Sequence, residues 1–404
     1  MSTEPSAPQS LRGRSFAETS SAVLDLIRSS GEITRVELSR RAALTEATIS
    51  KVVKELLAKG VIVESGRTES TGGKPATLLR LDTSTLWSVG VVLDLTRIVV
   101  VLCAIDGSRV SSIEISATPD DAPDAILRRV ADAVLELLDG RMTAPGRAIG
   151  IGVALAGRRG YQDPEAVVTD WTELTPVDAR LQELTGIEVL LENDANCAAL
   201  NEFWSGGIAA GRDFAVVYAA DGIGAGILID GDVYRGRSAH AGEIGHVYVD
   251  RGETPCWCGR KGCLEVTGTP QAVARRARHM PDLMTELELA ADASSRSIYR
   301  AVAASAAAGQ PRAVALIQEA ADYLATAVVG MANTLDLDLV FLAGPGFADA
   351  GPIFLGAVRA ALDTSYVHTL HPVEVQLRSV DPNAAAVGAA SLVLHRRLTP
   401  HHTA

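Results

Sequence analysis

Residues 242–265 read GEIGHVYVDRGETPCWCGRKGCLE, and the interpretation of the whole chain starts from this stretch. One imidazole and three thiolates are a complete tetrahedral ligand set for zinc, and four protein ligands leave no open coordination position. Gly259 and Gly262 allow the sharp turn that brings the last cysteine back towards the others. The alternative is a group of unrelated buried thiols. We predict a structural zinc site with the ligands His246, Cys256, Cys258 and Cys263.

The motifs GEIGH and CWCGRKGCLE closely resemble the zinc motif of the ROK family, which groups sugar-responsive repressors with sugar kinases. A second stretch, ENDANCAALNEF at 192–203, resembles the family signature around its catalytic aspartate, which falls here on Asp194. A helix N-cap is the alternative role for this carboxylate. The resemblance implies that a sugar is bound by Asn193, Asp194, Glu243, His246 and Glu265, with the histidine also a metal ligand.

The body of the chain alternates strands with helices, which predicts an α/β fold. The resemblance extends over residues 19 to about 397 and implies the two-lobed, actin-like ATPase fold with a sugar in the cleft. We expect lobe 1 at 83–200, joined by a C-terminal helix at 383–397, and lobe 2 with the zinc loop at 201–382. Trp171 is expected near the cleft or in the core.

Residues 19–82 predict a DNA-binding head. Apolar residues recur at helical spacing in three short segments, and Thr45 is placed to cap the third. Two strands around the polar loop 65–74 follow, so the order is that of a winged helix-turn-helix. The loop sequence STGGKP also resembles the STGGRP wing signature of ROK repressors. A protein-interaction module is the alternative. The predicted DNA contacts are Thr45, Glu46, Ala47, Thr48, Ser50, Lys51, Lys54, Arg67 and Lys74.

Charge and cysteine content agree with this division. The chain of 404 residues has a formal net charge of −12, whereas residues 1–82 carry 12 Lys and Arg against 10 Asp and Glu. Any contact with nucleic acid is therefore expected at the head. Residues 1–18 lack an apolar core and predict a disordered tail, and we expect no membrane-spanning run. Reduced thiols and the lack of a secretory signal favour the cytoplasm.

The first phosphate loop departs from the kinase pattern. ROK kinases open their body with an Asp-x-Gly-Gly-Thr loop that handles phosphate and magnesium. In register, VGVVLDLTRI places Val92 at the aspartate, and Asp94 and Leu95 at the two glycines. A valine cannot hold magnesium, directly or through water. The added carboxylate would meet the phosphates with like charge.

The second phosphate loop departs in the same direction. Where the kinases have Gly-Thr-Gly, this chain has Ala220, Asp221 and Gly222, so a hydroxyl is replaced by a negative charge. The third loop keeps one glycine, with Ala343 before Gly344. The resemblance therefore predicts a sugar-responsive transcriptional repressor without kinase activity, in which Asp194 is a vestigial base. We expect a homodimer or a dimer of dimers on operator DNA. The alternatives are an active sugar kinase with a DNA-binding head and a protein-interaction adaptor.

Overall fold

The computed structural model describes residues 15–68, 75–93, 97–118, 121–139, 147–155, 176–209, 211–365, 367–368, 371–378, 381 and 383–399. The chain divides into two compact units. The first unit consists of Met1–Ala210 and Ala385–Ala404, and the second unit consists of Gly211–Ala384. The predictions for Lys74, Asp94, Leu95 and Trp171 fall outside the described residues, as does most of the predicted tail.

The head in the first unit is a winged helix. Its helices are α1 Phe16–Ser30, α2 Arg35–Ala42 and α3 Glu46–Ala58, and its strands are β1 Ile33–Thr34, β2 Ile62–Arg67 and β3 Thr77–Leu81. The two longer strands pair antiparallel as the predicted wing, and β1 adds a short third strand beside β3. Thr45 caps α3 by accepting a hydrogen bond from the backbone N–H of Thr48 at 3.2 Å, as the sequence predicts.

The inner faces of the three helices meet in a small core. Val23 and Ile27 of α1, Leu38 of α2 and Ile49 of α3 have no exposed surface. Their spacing places them on one side of each helix, so the helices bury apolar stripes against one another. Val36 is an apolar residue of α2 that does not join this core, since it is 62% exposed. It directly follows the first helical residue, on the side turned away from this core.

The body of the first unit is a five-stranded sheet in the order β6-β5-β4-β7-β8. Strands β4, β5 and β6 pair antiparallel, and β7 and β8 run parallel to β4. The bounds are β4 Leu86–Leu93, β5 Arg97–Ala104, β6 Arg109–Ser116, α4 Pro123–Asp139, β7 Arg147–Leu155, α5 Val177–Thr185, β8 Val189–Asn193, α6 Asp194–Trp204 and α13 Ala384–Leu398. One face of the sheet packs on helices α4 and α5, and the other face packs on α6 and α13.

The C-terminal helix α13 lies unusually close to this sheet and to α6. A Cβ atom at Gly90 of β4 would come within 1.8 Å of the carbonyl oxygen of Ala386. A Cβ at Gly388 of α13 would come equally close to the carbonyl oxygen of Cys197, at 1.8 Å. Glycine is therefore required at both contacts, and α6 is held firmly against α13.

The second unit repeats the same strand pattern. Its sheet has the order β11-β10-β9-β12-β13, with β9, β10 and β11 antiparallel and with β12 and β13 parallel to β9. This shared topology is the duplication expected of an actin-like fold. The bounds are β9 Phe214–Ala219, β10 Ile223–Ile229, β11 Asp232–Val233, α7 Leu264–Thr267, α8 Pro270–Arg278, α9 Pro281–Glu286, α10 Ser295–Ala307, α11 Pro311–Leu335, β12 Leu339–Ala343, α12 Gly351–Asp363 and β13 Glu374–Leu377.

Helix α11, with 25 residues, is the one described helix that is long and apolar enough to cross a membrane. The sequence composition predicts no such run. Half of its apolar window is buried inside the unit, where Ile317, Leu324 and Val328 have no exposed surface. These residues belong to the main apolar cluster of the second unit. Their burial is that of a core helix, which explains the composition.

Candidate functional site

The four predicted zinc ligands come together in the second unit. One ligand atom from each of His246, Cys256, Cys258 and Cys263 lies within 4.8 Å of every other. The Sγ atoms of Cys258 and Cys263 are 3.6 Å apart, and Sγ of Cys256 is 3.6 Å from Nδ1 of the histidine. Sulfur atoms about 2.3 Å from a tetrahedral zinc ion are separated by about 3.8 Å. The spacing therefore fits a metal of this size.

Backbone turns between the ligands produce this arrangement. The N–H of Cys256 donates to the carbonyl of Arg260 at 2.7 Å and closes a tight loop. Gly259 and Gly262 have positive φ angles of 86° and 69°, as the predicted turn requires. A Cβ at Gly262 would also come within 1.9 Å of the carbonyl oxygen of Asp250. The sequence therefore identified the turning residues correctly.

The three thiols differ in their acidity. Burial raises the pKa of Cys263 to about 12, and burial also raises the pKa of Cys256. At Cys258 burial acts in the same direction, but the hydrogen bond from the Arg260 N–H and the neighbouring thiols outweigh it and lower the pKa. A bound cation stabilises all three thiolates, so metal binding here would displace protons.

The ring of His246 lies between the cysteine cluster and the carboxylate of Glu243. Its Nδ1 faces Cys256, whereas its Nε2 is 3.7 Å from Oε2 of Glu243. The indole of Trp257 packs edge-on against the imidazole, with 4.4 Å between ring centroids. A histidine that binds a metal through one nitrogen presents the other nitrogen in a fixed direction. The pair of His246 and Glu243 therefore places a candidate metal ligand beside polar side-chain atoms.

Glu265 completes this group from the first turn of α7. A Cβ at Gly245 would come 2.8 Å from its Oε2, and a Cβ at Gly222 would come 3.0 Å from its Oε1. The carboxylate therefore lies directly against two glycines, one of them in the GEIGH motif and the other in the predicted phosphate loop. Glu243, His246 and Glu265 are all half-buried.

Asn193 and Asp194 lie in the first unit, where strand β8 passes into helix α6. Asn193 is the N-cap, because its Oδ1 accepts from the N–H groups of Ala195 at 3.0 Å and Asn196 at 3.4 Å. The sequence analysis considered Asp194 for this role, which is wrong: Asp194 is the first helical residue. Both side chains remain half-buried at the carboxyl end of a parallel strand, where α/β folds bind ligands.

Val92 and Asp221 are two of the described positions at which the predicted phosphate loops depart from the kinase pattern. Val92 lies in β4 and packs on the apolar clusters that include Cys197 and Ala390. Asp221 pairs with Arg296 of α10, whose Nη2 is 3.0 Å from its Oδ2. Both partners of this pair are more than half exposed in their side chains.

The predicted DNA contacts on α3 lie at the surface. Thr45, Glu46, Ala47, Ser50, Lys51 and Lys54 are exposed, Thr48 is half-buried, and Arg67 of the wing is exposed. The ammonium of Lys51 lies 4.9 Å from the ring centroid of Phe16, the first residue of α1. The sequence analysis missed Phe16, Trp257 and Arg296. Only Trp257, between two cysteine ligands, carried a local signal.

Comparison with known proteins agrees with these observations. A model described as ROK family matches residues 88–396, and a winged helix-turn-helix DNA-binding model matches residues 17–63. The chain is 24% identical over 386 residues to the xylose repressor of Caldicellulosiruptor bescii, covering 93% of this chain and 95% of that protein. It is 29% identical over 317 residues to a glucokinase of Halalkalibacterium halodurans, covering 76% of this chain and 94% of the kinase.

Among solved structures, a ROK family transcriptional regulator, a homolog of the E. coli MLC protein, superimposes with a TM-score of 0.72. The match has 21% identity and covers 95% of this chain and 98% of the other. It supports the predicted fold from head to body. Because the family model spans most of the sequence, the resemblance noted at the zinc motif is confirmed, and the chain belongs to the ROK family.

Proposed function

We propose that this chain is a sugar-responsive transcriptional repressor whose head binds operator DNA and whose body binds a sugar or sugar derivative. The winged helix carries this proposal. The glucokinase aligns to 76% of this chain and the xylose repressor to 93%, so the added length corresponds to the head. Within the head, the face of α3 with Ser50, Lys51 and Lys54 is exposed. Small and basic residues on such a helix suit a major groove and its phosphates.

The sugar contacts follow from the chemistry of the half-buried polar groups. Glu243 and Glu265 are acceptors for sugar hydroxyls, and Nε2 of His246 adds a third polar atom beside Glu243. Capping uses Oδ1 of Asn193, so this residue would contact the sugar through its amide Nδ2. Asp194 would accept one more hydroxyl. A group of few polar contacts of this kind sets specificity in small-molecule sites.

Zinc is the metal that suits the donor set of His246, Cys256, Cys258 and Cys263. We assign it a structural role, since the four residues fill a tetrahedral shell. Coordination through Nδ1 would fix the imidazole so that Nε2 stays beside Glu243. The metal would therefore stiffen the sugar-binding surface and supply no chemistry to a reaction.

We further propose that the protein does not transfer phosphate. Phosphoryl transfer depends on positioning and on neutralising the phosphate charge with magnesium. Val92 is packed among apolar residues at the position of the kinase aspartate, and Asp221 is held by Arg296 in the second loop. In this setting Asp194 would hold a sugar hydroxyl and remove no proton from it. An active sugar kinase is the second candidate, and the glucokinase relative favours it.

A homodimer or a dimer of dimers in the cytoplasm fits this function. A single winged helix contacts a short half-site, and two half-sites multiply affinity. The predicted head at 19–82, lobe 1 at 83–200 with 383–397, and lobe 2 at 201–382 remain our division of the chain by function. The wing residues Arg67 and Lys74 would contact the phosphates that flank the half-site.

The test has two stages. Operator sequences are first selected from random duplex DNA with the full chain, and affinity is then titrated at several salt concentrations. A panel of pentoses, hexoses and N-acetylhexosamines is next screened by thermal shift, since a ligand that binds only the folded state raises its stability. We expect one sugar class to stabilise the protein and to change operator affinity. Failure to select any sequence would contradict the repressor proposal.

Two variants and one assay separate the candidates. Glu243→Ala should keep operator affinity but lose the sugar effect, whereas Glu253→Ala, an exposed carboxylate of the same loop, should keep both. Incubation with ATP, magnesium and the selected sugar should give no sugar phosphate above a blank. Turnover on the order of 1 per second would establish the kinase instead.

A further inference from the structure

A buried arginine connects the DNA-binding head to the body of the first unit. Arg28 lies in the last turn of α1, and its side chain is only 2% exposed. Its Nε donates to Oδ1 of Asp25 at 3.1 Å, one turn earlier in the same helix. A buried charge costs several kcal/mol unless it is paired and hydrogen-bonded. The ion pair with Asp25 therefore offsets part of this cost and helps to hold the side chain in place.

The other side of the guanidinium binds the C-terminal end of α6 and the segment that follows this helix. Nη1 donates to the carbonyl oxygen of Phe203, and Nη2 donates to that of Ile208 at 2.5 Å. The guanidinium carbon also lies 4.0 Å from the ring centroid of Phe203 and 5.3 Å from that of Trp204. The last carbonyls of a helix have no partner within it and attract cations. Arg28 thus closes α6 with hydrogen bonds and a cation–π contact.

The opposite end of α6 carries the predicted sugar contacts. Asn193 caps the helix and Asp194 is its first residue, whereas Trp204 is the last of its 11 residues. At 1.5 Å per residue the helix is about 16 Å long. Residues 195–200 are all buried, and the tight contact of Gly388 with Cys197 locks the helix against α13. Because α6 and α13 are locked together in this way, a displacement of α6 would move the two helices as one body.

We propose that Arg28 is a positioning residue through which α6 transmits a displacement at Asn193 and Asp194 to the winged helix. The inference rests on the proposed function, in which a sugar binds at these two residues. A ligand shifts an equilibrium only through contacts that differ between two states. Here a shift of α6 along its axis either carries α1 with it or breaks the fork to Phe203 and Ile208. Ser21 adds a second link, since its Oγ donates to the carbonyl of Leu398 at 3.1 Å.

The test is a double-mutant cycle read by hydrogen–deuterium exchange on the full chain, without sugar or DNA. Asn193→Ala perturbs one end of α6, Arg28→Met perturbs the other, and the double variant closes the cycle. We expect Asn193→Ala to increase exchange of the α1 amides by about threefold in the wild-type background. In the Arg28→Met background, Asn193→Ala should not further increase the exchange of the α1 amides. It should still increase the exchange of residues 194–200.

Two further variants exclude a merely structural role. Arg28→Lys keeps the charge but lacks the planar fork, so it should also uncouple α1 from Asn193→Ala. It carries the same comparison if Arg28→Met fails to fold. Lys59→Met removes a charge from the exposed end of α3 and should leave the coupling intact. Equal effects of Asn193→Ala in α1 with and without Arg28, or coupling retained by the lysine variant, would overturn the proposal.

The result of this exchange experiment can be told apart from the test of the proposed function, because neither sugar nor DNA is present. A protein that shows the coupling but binds no sugar refutes the sugar-sensing function and retains the role of Arg28. A protein that responds to a sugar but in which the effects of Asn193→Ala and Arg28→Met on exchange in α1 simply add supports the sugar-sensing function and refutes the role of Arg28.

Discussion

The carboxylate of Glu265 lies against the backbone of Gly222, close enough that a Cβ at this glycine would come 3.0 Å from Oε1. In a ROK kinase this glycine belongs to a loop that approaches phosphate. Here it lies against a carboxylate that we assign to sugar binding. The glycine by itself is therefore no evidence of nucleotide binding.

Gly222→Ala should displace the Glu265 carboxylate and weaken sugar binding without unfolding the protein. The Glu265 carboxylate is at the end of a flexible side chain and can shift by a few tenths of an ångström. The loss should therefore be modest, about tenfold in affinity or 1.4 kcal/mol. Isothermal titration with the sugar found by thermal shift measures it. Gly211→Ala, where a Cβ meets no atom within 4 Å, is the control. Unchanged affinity in Gly222→Ala would argue against Glu265 as a sugar contact.

The metal site predicts both a stoichiometry and a pattern of thiol reactivity. We expect one zinc ion per chain by elemental analysis, released as a mercurial reagent titrates three thiols. Burial raises the pKa of Cys103 to about 12, so this thiol should stay unreactive at pH 8 while the fold is intact.

Cys258→Ser should lose the metal and destabilise residues 242–265, because coordination contributes on the order of 10 kcal/mol to folding of such sites. Cys103→Ala, which removes a buried thiol outside the cluster, should retain one zinc. Wild-type protein prepared under reducing conditions without chelator and found to lack zinc would refute the assignment.

Lys51 gives a prediction for DNA binding. Lys51→Ala should weaken operator binding several-fold and reduce the salt slope by about one phosphate contact. Phe16→Leu removes the ring beneath the ammonium and should produce a smaller loss with an unchanged slope, since the charge remains. The measurement is affinity against salt concentration. Lys59→Ala, at the far end of α3, should match the wild type. A Lys51→Ala variant with wild-type slope would exclude this lysine from the interface.

Asp213 predicts a pH-dependent gain in stability. Burial, together with the carboxylates of Asp230, Asp338 and Asp336, raises the pKa of Asp213 above its ordinary value of 3.8. For a carboxyl with a raised pKa, the favourable contribution exists below the unfolded pKa and is lost as pH rises through the folded value. At neutral pH the charged form therefore destabilises the fold.

Asp213→Asn keeps the acceptor for the N–H of Asp230 and removes the repulsion. We expect a gain below about 1 kcal/mol at pH 7 because the site is half-exposed. The gain should shrink as pH falls through the raised pKa of Asp213 in the folded state and should be lost by about pH 4. Urea midpoints at pH 7 and at about pH 4 measure this gain in stability. The variant Asp292→Asn, at an exposed aspartate, is the control. A gain that is equal at both pH values would show that the carboxylate charge is not the cause.

The sequence alone determined the features that depend on short chain segments. The metal ligands fall within 18 residues, so two glycine turns suffice to bring them together, and the structure reproduces both turns. The cap at Thr45 and the two wing strands that flank residues 65–74 follow from local patterns for the same reason. Motif spacing was also enough to indicate the family and, through it, the two repeated sheets.

Only the tertiary structure decided which residues lie against each other across long separations. Arg28 looks like a surface residue in an amphipathic helix, and its burial depends on Phe203, 175 residues away. Asn193 and Asp194 are equally good caps by type, and the end of strand β8 selects the first. The carboxylate that lies against Gly222 belongs to Glu265, which is distant in the sequence. In each case the partner is brought in by packing of whole elements, which no local pattern encodes.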